Sequence, residues 1–136
     1  MRPTTAFEKL LSSTINVGFV LGCFFPFLFL DLSVFGSKVL LIFLFFVYKI
    51  GVICFNHNRS LGMMITGAYW KKEYSLRKQF VHAVLYTLSF STLLFSFFFP
   101  FDLFLLNMSF QFLMVKLTGT TIHGYLSGRM LTVKKS

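Results

Sequence analysis

Acidic residues are scarce in this chain. Its 136 residues include four Asp and Glu against thirteen Lys and Arg, a net charge of +9. With no paired carboxylates, acid–base hydrolysis has almost nothing to work with. There is also no phosphate loop and no nucleophile–histidine pair, so no catalytic residue and no enzyme activity is expected. Charge of either sign is sparse. At 12% charged residues, the chain has about half the ~25% that gives a soluble domain its polar skin. The two cysteines, Cys23 and Cys54, lie in apolar runs. They form no CxxC and no metal-type spacing, and read as small buried hydrophobes rather than a redox pair. His57, His82 and His123 have no ligand spacing either, so neither metal nor cofactor is expected. The N-terminal segment lacks a small-x-small cleavage site and carries Glu8 in its charged head, so it is expected to stay as a helix.

Apolar residues fill the rest. The chain is 56% hydrophobic and 20% aromatic, with 21 Phe and a mean hydropathy of +0.76. They cluster in runs, the membrane pattern. The sequence therefore predicts one all-α integral membrane domain over residues 1–136, with three to four transmembrane helices. The spans fall at 12–30, 39–55 and 80–99, and a thin span or re-entrant segment falls at 103–115. Pro26 is expected to kink the first helix in its outer half. The third span ends before Pro100 and Asp102.

Between the second and third spans lies a basic connector, residues 56–79, with Arg59, Lys71, Lys72, Arg77 and Lys78 against Glu73. The loop between the first two spans carries only Lys38. By the positive-inside rule the N-terminus and connector face the cytoplasm of a cell (inner) membrane. The tail carries Lys116, Arg129, Lys134 and Lys135, which favours 103–115 returning across the membrane. Anionic headgroups suit these basic segments, and nucleic acid is not expected as a partner. Within the connector, Met63–Trp70 reads as a short strand or an interfacial segment, with Tyr69 and Trp70 at headgroup level.

A few polar residues inside apolar runs are candidates for function. Lys49 lies in the second span, where an ionisable group is functional by default. The alternative is snorkelling, since the headgroups are roughly 9 Å away at 1.5 Å rise per residue. No Asp or Glu lies at its depth. Lys9 and Asn16 share one helical face, and Asn16 must bond to another helix or line a polar cavity. Gly62, Gly67, Gly124 and Gly128 allow tight turns and close approach.

Three segments together resemble the RDD family of small bacterial membrane proteins, named for one Arg and two Asp. Lys9-Leu-Leu-Ser12-Ser-Thr-Ile-Asn16 keeps the register of the family's first-helix motif. Ser60-Leu-Gly62-Met-Met-Ile-Thr-Gly67, followed by Ser75-Leu76, is similar to its connector. Thr121-Ile-His123-Gly124-Tyr-Leu-Ser127-Gly128-Arg129 is similar to its C-terminal motif. The name-giving positions hold Lys9, Asn16 and Gly124, and His82 stands where the family usually has Arg. The resemblance implies that connector and tail lie on the same side, with Met63–Gly67 and Met130–Val133 pairing as short strands.

Two functions follow as expectations. The first is a small accessory or scaffold subunit of a larger membrane assembly, docking on other subunits or on itself through Phe-rich faces. The alternative is an oligomeric ion or small-solute transporter component using Lys9, Asn16 and Lys49 around a cytoplasm-facing cavity.

Overall fold

A computed structural model describes residues 1–95 and 103–135; Pro100 and Asp102 lie outside the described residues. Five helices start on a Ser or Thr whose hydroxyl accepts an otherwise unpaired backbone N–H. Helix α1 (Ala6–Phe24) starts on Thr5, with Glu8 completing a capping box. Helix α2 (Val34–Phe55) starts on Ser33, α3 (Leu61–Thr66) on Ser60, and α4 (Leu76–Leu94) on Ser75. After α5 (Leu103–Thr118), α6 (Ile122–Leu126) starts on Thr121. These caps explain why α1, α2 and α4 begin four to six residues before the spans expected from hydropathy alone: the polar first turns are helical as well.

Pro26 tightens the first helix rather than kinking it. Its nitrogen cannot donate to the Gly22 carbonyl, which instead accepts from the Phe25 N–H. The chain then continues as a 3-10 turn over Phe25–Phe29.

Three short strands close one end. The order is β1 (Arg2–Pro3), β3 (Thr132–Lys134), β2 (Ala68–Trp70), with both pairings antiparallel. Tyr69 faces Val133 in register, as does Pro3. Connector and tail therefore pair, through Thr132 and Val133 of the expected tail segment but through Ala68–Trp70 rather than Met63–Gly67 of the connector. Met63–Gly67 is helix and helix cap, not strand. Ser60 caps α3, Gly67 ends it in the left-handed conformation at φ 75°, and the strand begins only at Ala68.

Because β2 and β3 are neighbours, the chain leaves the sheet through α4 and comes back through α5. N-terminus, connector and tail thus share one end of the molecule. Helices α1, α2 and α4 pack around Val20, Phe24, Leu41, Phe45 and Phe90. Phe45 is fully buried and stacks on Phe90 at 4.4 Å between centroids.

The outside of the bundle is apolar. Ala6–Phe29 and Val34–Phe55 are long and apolar enough to cross a membrane, and little of either is buried within the protein. Phe7, Phe29, Phe35 and Phe55 point outward, whereas Asn16, Lys49, Gln79 and His82 point inward. Apolar exterior around polar interior reverses the soluble arrangement and supports a membrane location. Cys23 and Cys54 are exposed, not buried as expected, because each lies on its helix outside the inward stripe.

Helix α3 lies against α1 with no room for a side chain at Gly62. A Cβ there would overlap the Ser12 backbone carbonyl. Gly62→Ala should therefore destabilise the fold by about 1–3 kcal/mol, the usual cost of overpacking against rigid backbone. Thermal unfolding in detergent checks this, with Gly51→Ala, which meets open space, as the control.

Candidate functional site

Lys9, Ser12, Ser13 and Asn16 recur at helical spacing and form one polar stripe on α1. Helix α2 turns Lys49 toward this stripe, and α4 contributes His82 and Tyr86. The tail folds back so that His123 of α6 joins them. A cavity of about 70 Å³ lies where these faces meet, and Ser60, Trp70 and Thr132 close its sheet side. It has room for a few water molecules or one compact polyatomic ion.

Asn16 holds the frame. It is 3% exposed, and its Oδ1 accepts from Tyr48 Oη at 2.8 Å and from the Gly62 N–H at 2.8 Å. Its Nδ2 donates to Ser60 Oγ at 3.2 Å. Tyr48 Oη in turn accepts from the Leu61 N–H at 3.0 Å. One amide thus ties α1 to α2 and to the first turn of α3, satisfying donors at that turn that would otherwise be buried without partners.

Two cations line the cavity. Lys9 Nζ donates to Thr132 Oγ1 at 2.7 Å. Lys49 is 2% exposed, and its ammonium lies 4.8 Å from the Tyr86 ring centre. A cation–π contact offsets part of the burial cost of a charge, not all of it. Among the described residues, neither lysine has a carboxylate in salt-bridge range. Glu8 is the acid in the lining, but Arg2 and Lys134 already hold it. Arg2 binds both of its oxygens, and Lys134 Nζ lies at 3.5 Å. The balance left in the cavity is positive.

His82 and His123 face each other with ring centroids 5.0 Å apart. Gln111 aligns His123: its amide nitrogen meets Nδ1 at 3.4 Å, and its carbonyl accepts from the Ile122 N–H at 2.8 Å. Burial, reinforced by the charges of Lys49 and Lys9, pushes the His123 pKa down to about 3, so the ring is neutral. His82 Nδ1 is buried with no hydrogen-bond partner among the described residues. A buried polar atom of this kind calls for an explanation, such as a bound group or an ordered water. Among the described residues, no three His, Cys, Asp or Glu converge as metal ligands.

Five of the candidate residues from the sequence meet here: Lys9, Asn16, Lys49, His82 and His123. Lys49 does not snorkel, because its side chain points into the bundle. Arg59 lies elsewhere; it stacks on Tyr69 at 3.9 Å and donates to the Ala68 carbonyl at 2.9 Å, bracing β2. Gly124 backs the site, where a Cβ would overlap Thr120 Oγ1. Gly67 and Gly128 take positive φ in turns outside it. Sequence reasoning missed Ser13, Tyr48, Tyr86, Gln111 and Thr132. The four-residue step from His82 to Tyr86 and the lone Gln111 in an apolar helix were the available signals.

Comparison of the chain with family models, with curated proteins and with solved structures finds no match.

Asn16→Ala should cost about 2–4 kcal/mol, because it leaves the buried Gly62 N–H and the half-buried Tyr48 Oη without their acceptor. Chemical or thermal unfolding in detergent measures this, and a loss below about 0.5 kcal/mol would contradict the central role of the amide. For His123 the folded pKa lies below the unfolded value of about 6.5, so the unfolded chain binds more protons between them. Its contribution to stability is present above about pH 6.5 and is lost as pH falls toward 3. Stability should therefore fall as pH drops from about 6.5 to 5, a window in which ordinary carboxylates stay largely ionised. His123→Asn should flatten that slope, as read by melting temperature against pH.

Proposed function

We propose that this chain is a multi-pass membrane protein that binds a small anion in the Lys9–Lys49 cavity, as the solute-binding component of a transport system. The observation that carries this reading is a buried Lys49 and a half-buried Lys9 on one cavity, neither with a carboxylate in salt-bridge range among the described residues. An uncompensated buried charge is costly, and a protein that lines one cavity with two lysines gains from a ligand of opposite sign. Ser12, Ser13 and Thr132 offer hydroxyls to anion oxygens, and the His82 ring can offer an N–H.

The resemblance to RDD proteins belongs to this proposal as a likeness of layout. Carboxylates at the positions of Asn16 and Gly124 would attract a cation. With amide and glycine there, Lys9 at the position of the family's Arg and Lys49 added from α2, the sign of the fitting solute reverses. The shared sheet end, with its basic connector, supports a cytoplasmic orientation for both termini. In that orientation α1 with α2, and α4 with α5, each form an out-and-back pair, giving four crossings of which α5 is the shortest. The accessory-subunit reading rests on outward Phe faces, which lipid satisfies equally well, so the cavity favours the solute reading.

Binding to the folded state stabilises it, by about 2.7 kcal/mol when ligand stands at a hundred times Kd. Inorganic phosphate at constant ionic strength should raise the melting temperature of the purified protein in neutral detergent. Lys49→Met should have two opposed effects. Removing an unpaired buried charge should leave the unliganded protein as stable as the wild type or more so, and the phosphate response should disappear. A phosphate response that survives Lys49→Met would overturn the assignment.

A further inference from the structure

A second compartment adjoins the polar cavity. It is a groove of about 280 Å³ between α1, α4 and α5, walled mainly by apolar side chains such as Val17, Met108 and Val115. Phe112 also lines it and is 42% exposed, so the groove reaches the outer, lipid-facing side of the bundle. The two compartments share a wall: Lys9, Ser13, Tyr86, Thr121 and His123 line both. Ser13 Oγ and Tyr86 Oη are hydrogen-bonded to each other at this boundary. Lys9 is the one of the two cavity lysines that touches both sides.

We infer that the anion is the headgroup of a membrane lipid, held by Lys9 and Lys49, with one acyl chain lying in the α1–α4–α5 groove. This rests on the anion reading above and narrows it. A water-soluble anion would use the cavity and gain nothing from the groove. An apolar molecule would use the groove and gain nothing from the two cavity lysines. A lipid with an anionic headgroup matches both at once, charge against charge and chain against apolar wall, and it reaches the site from the bilayer through the Phe112 side. The lysine at the junction then lies where headgroup meets chain, and the unpartnered His82 Nδ1 lies at the headgroup end.

The test uses the full chain, stripped of lipid, in neutral detergent. Melting temperature is followed against phosphatidic acid, phosphatidylcholine with the same chains, and inorganic phosphate, with bound lipid counted by native mass spectrometry. Phosphatidic acid is expected to stabilise the wild type at a concentration at least about tenfold below that needed for inorganic phosphate, because chain burial adds to headgroup binding. Phosphatidylcholine is expected to have no such effect, and one phosphatidic acid is expected per chain. Met108→Trp fills the groove. It should lose the preference for phosphatidic acid and keep the phosphate response, which also reports that the variant is folded. Phosphatidic acid no better than inorganic phosphate on the wild type overturns the lipid inference and leaves the anion reading standing. So does a groove occupied instead by a second copy, seen as a dimer that binds no lipid and is broken by Met108→Trp. No stabilisation by either anion overturns both readings.

Discussion

The structure depends on polar groups being satisfied inside a bundle whose exterior is apolar. The Asn16 amide is where that constraint is met most economically. Its oxygen takes two donors and its nitrogen supplies one, joining α1, α2 and α3 at a single point. Leaving any of these groups buried without its partner costs free energy, so each bond counts. Gly62 lets α3 lie close enough for them to form. With α3 fixed, β2 follows directly after Gly67, and the tail strand β3 pairs beside it. The tail in turn carries α6 and His123 into the site. A local hydrogen-bond requirement in the first helix therefore determines where the last thirty or so residues lie.

The second constraint is electrostatic. The protein neutralises Glu8, the acid in the cavity lining among the described residues, with Arg2 and Lys134, and leaves Lys9 and Lys49 to a threonine hydroxyl and a tyrosine ring. Stability alone would favour the opposite assignment, with Glu8 shared between Lys9 and Lys49 and Arg2, the more exposed partner, in solvent. A site that gives up stability in this way is expected where binding is the purpose. The hydroxyls and neutral imidazoles around the lysines are groups that can donate to an anion without adding further charge.

Much of this was legible in the sequence, and the reasons differ by element. Hydropathy located α1 and α2 because long apolar runs have few other readings. It misplaced their starts because capping by Thr5 and Ser33 makes polar turns helical, which a hydropathy window cannot register. The Met63–Gly67 strand was wrong for a similar reason: Met-Met-Ile looks strand-like, but Ser60 before it and Gly67 after it are a start and a stop for one helical turn. Lys9, Asn16 and Lys49 stood out as polar residues in apolar surroundings, and they do converge. Tyr86 and Gln111 did not stand out, because a tyrosine or a glutamine near a membrane interface is ordinary. Only the three-dimensional meeting of α4, α5 and α6 gives them partners. The apolar groove had no sequence signal, since its walls have the same composition as the lipid-facing surface.

The central claim is that an anion sits between Lys9 and Lys49. Anomalous scattering from crystals of the protein soaked in selenate would locate such an anion directly. The account predicts a strong peak inside the cavity, within hydrogen-bond reach of both ammonium groups. Selenate peaks confined to the outer basic residues, such as Lys71 and Lys72, with none between Lys9 and Lys49, would contradict it.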